Sequence, residues 1–433
     1  MERDAVAGRE RIDWQRMTLW ATVALGAAIP ISVQAVAVLS LVLVVLGLLS
    51  GEYVRHWRAV LRHPVALAAL ALFVWLLVAL LYGSATWEEG LHALKKYREL
   101  LLIPLWMPFF HDPQRRRLGL YAFLGAMLLT LAVSWVEGIG LLIHSNGEVL
   151  EAVVFKQRIT QNTLMALAVF WMALQALRPG RRGLWIGLIV LALADMFLLV
   201  GGRTGELVLV ALAGLLLFHQ YRWKGLATAA LGTITLVTLL YLSSGPFKAR
   251  IDEAREGLVG YRSGEYNLST SMRLSFYKNS LALIGQRPLL GFGTGSFTSV
   301  YAAQVAGSAY PATENPHNEY LLIGIQSGLI GVALYLYLLG RQWWEARRLS
   351  GEERLMAQAL VLTMVLGCLL NSFLLDHTEG HLYAYLTALL FAPLLRSEDH
   401  TRSGSRCPPV ASPEAISSRN SATDSQRLFL LEA

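Results

Sequence analysis

The chain is short of charge, of cysteine and of metal-ligand patterns. Of its 433 residues, 15% are Asp, Glu, Lys or Arg, against about 25% in a soluble domain. That excludes an ordinary soluble enzyme. Two cysteines, Cys368 and Cys407, exclude a disulfide framework and a cysteine-based metal site. There is no Asp-x-Asp pair or carboxylate cluster to suggest a divalent metal, so no metal and no cofactor are expected. Segments of about ten alternating residues are missing, which excludes a membrane β-barrel. Residues 1–16 are polar and lack a small-residue cleavage site, so the run from Trp20 onward reads as a retained first span. The spans lack inverted-repeat hydropathy and charges paired at midplane, which counts against an ion-coupled transporter.

What is present is apolar sequence in long continuous runs. The chain is 55% hydrophobic, with a mean hydropathy of +0.47. A spanning helix needs about 20 mostly apolar residues, so the class is an all-α polytopic membrane protein. Twelve spans are expected, at 17–31, 33–50, 64–83, 88–110, 118–143, 161–177, 183–200, 205–220, 224–243, 318–340, 355–375 and 381–396. Lys and Arg cluster in alternating loops, for example Arg55, Arg58 and Arg62, then Arg115, Arg116 and Arg117, then Arg341, Arg347 and Arg348. Basic short loops mark the cytoplasmic side. The chain then divides into a cytoplasmic start (1–16), nine spans (17–243), a large periplasmic loop (244–317), three spans (318–396) and a cytoplasmic tail (397–433) whose composition is that of a disordered segment. The net charge of +7 comes mostly from the cytoplasmic anchors and is no argument for nucleic acid.

The polar loop concentrates the unusual residues. It holds Arg273, the run Gly291-Phe292-Gly293-Thr294-Gly295 and the triplet Pro316-His317-Asn318. No strand precedes the glycine run, so it reads as a turn for close approach and not as a dinucleotide loop. Several cations break the charge rule by lying at the outer face: Lys95, Lys96, Arg98, Lys156, Arg158, Arg203 and seven in the loop, among them Arg250, Arg255 and Arg273. An anionic ligand would hold them there. Long loops escape the rule, however, and Arg250 or Arg255 can pair with Asp252, Glu253 or Glu256.

Arg203 is the sharper case. It sits in Gly201-Gly202-Arg203-Thr204-Gly205-Glu206, between two apolar runs. Glycine permits a tight turn and close approach, and a guanidinium beside a helix N-terminus makes an anion site. Pairing with Glu206 or a lipid headgroup is the plain alternative. Lys95 and Arg98, three apart, share a helix face. They meet either a polar cavity or, if residues 88–99 form an interfacial helix, lipid headgroups. His317 is a general base, a hydrogen-bond donor to phosphate or a helix cap. Position does not decide, because His111, His144, His377 and His381 also lie near span ends.

Four ordered segments resemble one family: Ser271-Met272-Arg273; Gln286-Arg287-Pro288-Leu289-Leu290-Gly291-Phe292-Gly293; Pro316-His317-Asn318-Glu319-Tyr320-Leu321; and Gln326-Ser327-Gly328-Leu329-Ile330-Gly331. Together with Gly202-Arg203-Thr204-Gly205, they are similar to the O-antigen ligase and polymerase superfamily, which includes protein O-oligosaccharyltransferases. The resemblance covers roughly residues 195–335. It implies an inverting, metal-independent glycosyltransferase of the GT-C type in the bacterial inner membrane, its active site facing the periplasm. Such a ligase moves polysaccharide from undecaprenyl pyrophosphate to a sugar hydroxyl of lipid A-core. The resemblance implies catalytic roles for His317, Arg203 and Arg273. Lys95, Lys96, Arg98, Arg158, Asn318 and Gly293 are the expected substrate contacts, and membrane lipids surround the spans. A single late loop preceded by one strong arginine turn favours the ligase over the polymerase. A lipid-linked glycan transporter would want charges along a path through the spans; here they gather at one face.

Overall fold

The structure is a computed structural model that describes residues 13–144 and 153–395. Among these residues every regular element is helical. The first expected span is α1 (Trp14–Ile31) and the second α2 (Val33–Leu49). Ser32 separates them, and its hydroxyl accepts the Ala35 N–H, capping α2. After Gly51, a short α3 (Glu52–Val60) turns 98° away from α2. Then comes α4 (Pro64–Leu81), opened by proline in its first turn.

The expected fourth span, 88–110, is broken. α5 (Trp87–Lys96) is capped by a reciprocal Thr86–Glu89 pair, carries Glu88 and Glu89 in its first turn and ends on Lys95 and Lys96. Those charges complement the helix dipole. α6 (Glu99–Trp106) follows and passes into a 3-10 turn, Met107–Phe110. The interfacial alternative for residues 88–99 therefore fits the helix break.

Helices α7 (Pro113–His144), α8 (Arg158–Ala176), α9 (Arg182–Ala194), α10 (Arg203–Tyr221) and α11 (Trp223–Ser243) occupy the next five expected positions, α9 running on through a π turn, Asp195–Val200. The polar loop folds as α12 (Gly245–Ser263), α13 (Ser269–Gln286) and α14 (Phe297–Val305). α15 (Glu319–Ala346), α16 (Gly351–Leu370) and α17 (His377–Phe391) close the bundle. The expected terminal segments 1–12 and 397–433 lie outside the described residues.

Seven helices among the described residues are long and apolar enough to cross a membrane, or eight if the bent α2–α3 pair is one span. Of the expected twelve, four fall short of that measure even with the bent pair counted: α1, whose first turn carries Gln15 and Arg16, the broken fourth span, α8 and α17. Almost all of α8 and α17 is buried. A helix enclosed by protein need not be apolar all round, and α8 carries Gln161, Asn162, Thr163 and Gln175. α6 is only 8 residues long. By contrast α11 buries little beyond Gly225 and faces outward on most sides. α16 ends at Leu370, not at 375 as expected, and the freed segment 371–376 becomes part of the site.

Candidate functional site

The arginine turn begins where the π turn after α9 meets Gly201, which takes φ 64 and returns its N–H to Met196 O at 3.0 Å. Glycine is required here by what presses on it. A Cβ on Gly201 would lie 1.9 Å from the Arg250 guanidinium. On Gly202 it would lie 2.7 Å from the Arg158 carbonyl, and on Gly205 2.4 Å from the Asn162 backbone. The start of α8 and a side chain of α12 thus close on the first turn of α10.

The result is a cleft of about 330 Å³ into which four arginines from four helices converge: Arg158 (α8), Arg203 (α10), Arg250 (α12) and Arg273 (α13). Arg203 Nη2 reaches Glu253 Oε2 at 2.7 Å, with both side chains more than two-fifths exposed. Arg250 Nη1 stands 3.9 Å from Glu206 Oε1. The local pairings offered by the sequence are therefore exchanged: Arg203 takes Glu253 and Arg250 faces Glu206. An exposed ion pair is worth about 0–1 kcal/mol, so Arg203 gives up Glu253 readily to a better anion. Arg273 is half-buried and donates to Leu370 O at 2.9 Å. Burial chiefly, with Arg203 and Arg158 adding repulsion, lowers its pKa, yet a guanidinium stays charged at neutral pH.

His317 lies on the far side of Tyr277, a residue that itself lines the cleft. Its backbone is left-handed, φ 53. Its N–H donates to Asn315 Oδ1 at 2.9 Å, and its carbonyl accepts from the Tyr277 hydroxyl at 3.2 Å. The ring stacks on Phe276, centroids 6.3 Å apart. Burial, then the charge of Arg273, lowers the histidine pKa, which favours the neutral, proton-accepting ring. The next two residues commit their side chains to the scaffold. Asn318 Oδ1 caps α15 through Leu321 N–H (3.0 Å) while Nδ2 donates to Leu369 O (2.9 Å). Buried Glu319 accepts from Tyr97 OH (3.1 Å) and Leu374 N–H (3.0 Å).

The sequence reading hid residues 369–375 inside a span and left Asp376 in the connection that follows it. In the structure they tie every part of the site together. Leu369 O accepts from Tyr277 and Asn318, and Leu370 O from Arg273. Asn371 Nδ2 donates to Thr204 Oγ1 at 2.9 Å, beside Arg203. Ser372 Oγ donates to Asn315 Oδ1 at 2.8 Å. The readable signal was the polar pairs Asn371-Ser372 and Asp376-His377 within an otherwise apolar run.

The other expected contacts separate from the cleft. Lys95, Lys96 and Arg98 sit at the α5–α6 break, Arg98 donating to Lys95 O at 3.3 Å. They belong to a second, mixed-charge cluster around the start of α17. Burial raises the Asp376 pKa to about 6, with Lys96 opposing. Burial lowers that of Lys156, with Glu379 opposing. Thr160, two residues after Arg158, hydrogen-bonds Glu379, so the start of α8 stands between the two clusters.

Gly293 takes φ 98, and a Cβ there would lie 2.0 Å from Gly83 Cα. Its N–H donates to Gln326 O at 2.8 Å, while Gln326 Oε1 accepts the Gly295 N–H at 2.7 Å. The glycine run is a joint between the end of α4 and the break in α15 at Gly328, φ 67. It lies outside the arginine cleft.

One group capable of metal ligation escaped the sequence reading because its members are 59 positions apart. Glu52, His56 and His111 place ligand atoms within 4.8 Å of one another. The carboxylate is already approached at 3.9 Å by Arg55 and Arg115, and the two imidazoles lie stacked, centroids 4.9 Å apart. This is an ion-pair arrangement, placed where α3 leads into the start of α4, at the other end of α4 from the glycine joint.

An uncharacterized protein of Haemophilus influenzae is 24% identical over 314 residues, covering 68% of this chain and 77% of that protein. Residues 167–336 match the family described as O-antigen ligase (Wzy_C), a stretch that contains Arg203, Arg250, Arg273, Tyr277 and His317 but not Arg158 or the α5–α6 cations. The match supports a place for the chain in the O-antigen ligase and polymerase superfamily, whose members are glycosyltransferase-like membrane enzymes acting on lipid-linked polysaccharides.

Proposed function

We propose that the protein is an inverting, metal-independent O-antigen ligase of the bacterial inner membrane, working at its periplasmic face. The donor is a polysaccharide on undecaprenyl pyrophosphate and the acceptor a sugar hydroxyl of lipid A-core. The observation that carries this reading is the convergence of Arg158, Arg203, Arg250 and Arg273 on one cleft. A pyrophosphate is the anion that four guanidiniums fit, since each offers a planar fork matched to phosphate oxygens.

In the reaction the acceptor oxygen forms a bond to the anomeric carbon from the face opposite the leaving group. The glycosidic C–O bond to pyrophosphate breaks and its electron pair departs on the phosphate oxygen. Charge grows on the pyrophosphate as the bond lengthens, so prepositioned guanidiniums stabilise the transition state more than the ground state, by roughly 3–4 kcal/mol for a well-placed donor. His317, neutral because it is buried beside Arg273, accepts the acceptor's proton, a contribution of about 10²–10⁴ in rate. Arg203 starts α10, so the free amides of that helix turn also point at the anion.

The test is reconstitution from purified protein, lipid-linked polysaccharide and lipid A-core in detergent with chelator present. The expected product is polysaccharide-capped lipid A-core with an inverted linkage. Longer lipid-linked chains would identify a polymerase instead, glycosylated protein an oligosaccharyltransferase, and no covalent product a lipid-linked glycan transporter.

A further inference from the structure

We propose that Tyr277 is a positioning residue that holds His317 in its left-handed conformation and couples it to the wall of the arginine cleft. The inference rests on the reading of His317 as the group that takes the acceptor's proton.

His317 is one of two non-glycine residues with positive φ among those described. Such a conformation is sparsely populated and persists where neighbours hold it. Two bonds do so here, one on each side of the residue. Asn315 Oδ1 takes its N–H at 2.9 Å, and the Tyr277 hydroxyl donates to its carbonyl at 3.2 Å. The same hydroxyl lies 2.9 Å from Leu369 O, so its single hydrogen is shared between two carbonyls, the shorter contact being to Leu369, and holds the His317 carbonyl beside it. Asn315 Oδ1 is itself held by Ser372. The histidine backbone is thus clamped between α13 and residues 369–372.

Helix α13 presents three functions within one turn. Arg273 reaches the cleft and grips Leu370 O. Tyr277, four residues on and so on the same face, grips Leu369 O. Phe276 lies against the imidazole. Burial raises the Tyr277 pKa, with Arg273 and Asn318 opposing, which keeps the phenol protonated and therefore a donor at neutral pH.

The test is Tyr277→Phe, which keeps the ring and removes the hydroxyl, in the full chain purified in detergent. Turnover is expected to fall about tenfold, the scale of a small misplacement of a reacting group, while KM for the lipid-linked donor stays within about twofold. Added to His317→Gln, Tyr277→Phe should cost nothing further, because both act through one group. Multiplied losses in the double variant would overturn the proposal. An arm independent of catalysis uses protein labelled with ¹⁵N-histidine, the His317 signal being assigned by its absence in His317→Gln. Its chemical shift and titration should move in Tyr277→Phe, and those of His92 should not; an unmoved His317 signal overturns the proposal. Asn315→Ala, which removes the other half of the clamp, should move the same signal and serves if Tyr277→Phe does not fold. A wild-type protein that transfers no glycan refutes the assigned function, while the spectroscopic arm still decides the clamp.

Discussion

Two glycine-rich turns, 201–205 and 291–295, look alike in sequence and do opposite things. The first has one left-handed glycine, Gly201, and the second three, and in each an added Cβ would meet a neighbour at under 3 Å. At Gly201 the neighbour is the mobile end of a side chain, the Arg250 guanidinium. At Gly293 and Gly295 it is backbone, the Cα atoms of Gly83 and Gly90. At Gly201 glycine makes room for a cation and a cleft opens beside it, although Gly202 and Gly205 also meet the backbone of Arg158 and Asn162; in the second turn glycine lets chain segments meet and no room is left. A glycine pattern reports that something comes close. What comes close has to be read from the fold.

The largest expected effect lies in the first turn and its partner on α13. Arg203→Ala and Arg273→Ala should each lower transfer by about 10²–10³ with the melting temperature nearly unchanged, as checked by transfer kinetics and thermal unfolding of the same preparations. Lysine at either position should also be slow, since an ammonium lacks the guanidinium fork. Wild-type transfer in either alanine variant would remove the functional half of the comparison.

Next come the glycines themselves. Gly293→Ala forces backbone against backbone at φ 98 and should destabilise the fold by more than about 2 kcal/mol, seen as a lowered melting temperature or loss of monodisperse protein. Gly201→Ala also carries the strain of φ 64 but meets a side chain that can shift, and should lower the melting temperature less than Gly293→Ala while cutting transfer about tenfold by displacing Arg250. Equal melting losses in the two would show that both turns are joints.

A pH series sharpens the chemistry. Because burial, then the charge of Arg273, lowers the His317 pKa, the ring stays neutral to lower pH than an ordinary imidazole. Transfer should decline only lower, as pH passes the depressed value. His317→Gln should erase that acidic limb; an unchanged limb would assign it to another group. The smallest effect is expected for Asn318→Ala, a lost helix cap of about 1 kcal/mol, read by thermal unfolding.

The charge rule made much of this legible. Arg158, Arg203, Arg250 and Arg273 were all among the cations on the wrong side of the charge rule, and the structure brings those four to one cleft, while Lys95, Lys96 and Arg98, which broke the same rule, stay outside it. Arg250 could not be singled out, because Asp252, Glu253 and Glu256 offered it partners nearby in sequence; its neighbours in space come from α8, α10 and α13. Helix positions were readable from apolar runs. Span number was not, because α8 and α17 are enclosed by protein and follow no lipid rule. Residues 371–375 were lost for a related reason: Phe373, Leu374 and Leu375 continue the apolar run of α16 although the helix has already ended at Leu370. Asn318 and Glu319 sit beside His317 in sequence, and nothing in that adjacency tells a cap and a buried brace from a chemical group.

Residues 369–376 also bear on modularity. The large extramembrane loop looks like a transplantable cassette, bounded by α11 and α15 and carrying Arg273 and His317. Yet Arg273, Tyr277 and Asn318 all fasten to carbonyls at the end of α16, Asn315 accepts from Ser372, and Asn371 reaches back to Thr204. A chimaera that exchanges the loop alone inherits Arg273 and His317, the side chains proposed to act on the substrate, without the ledge they rest on. Swapping specificity between relatives therefore requires moving two pieces of chain separated by about fifty residues together, and substitutions in one should be tolerated only alongside matched substitutions in the other.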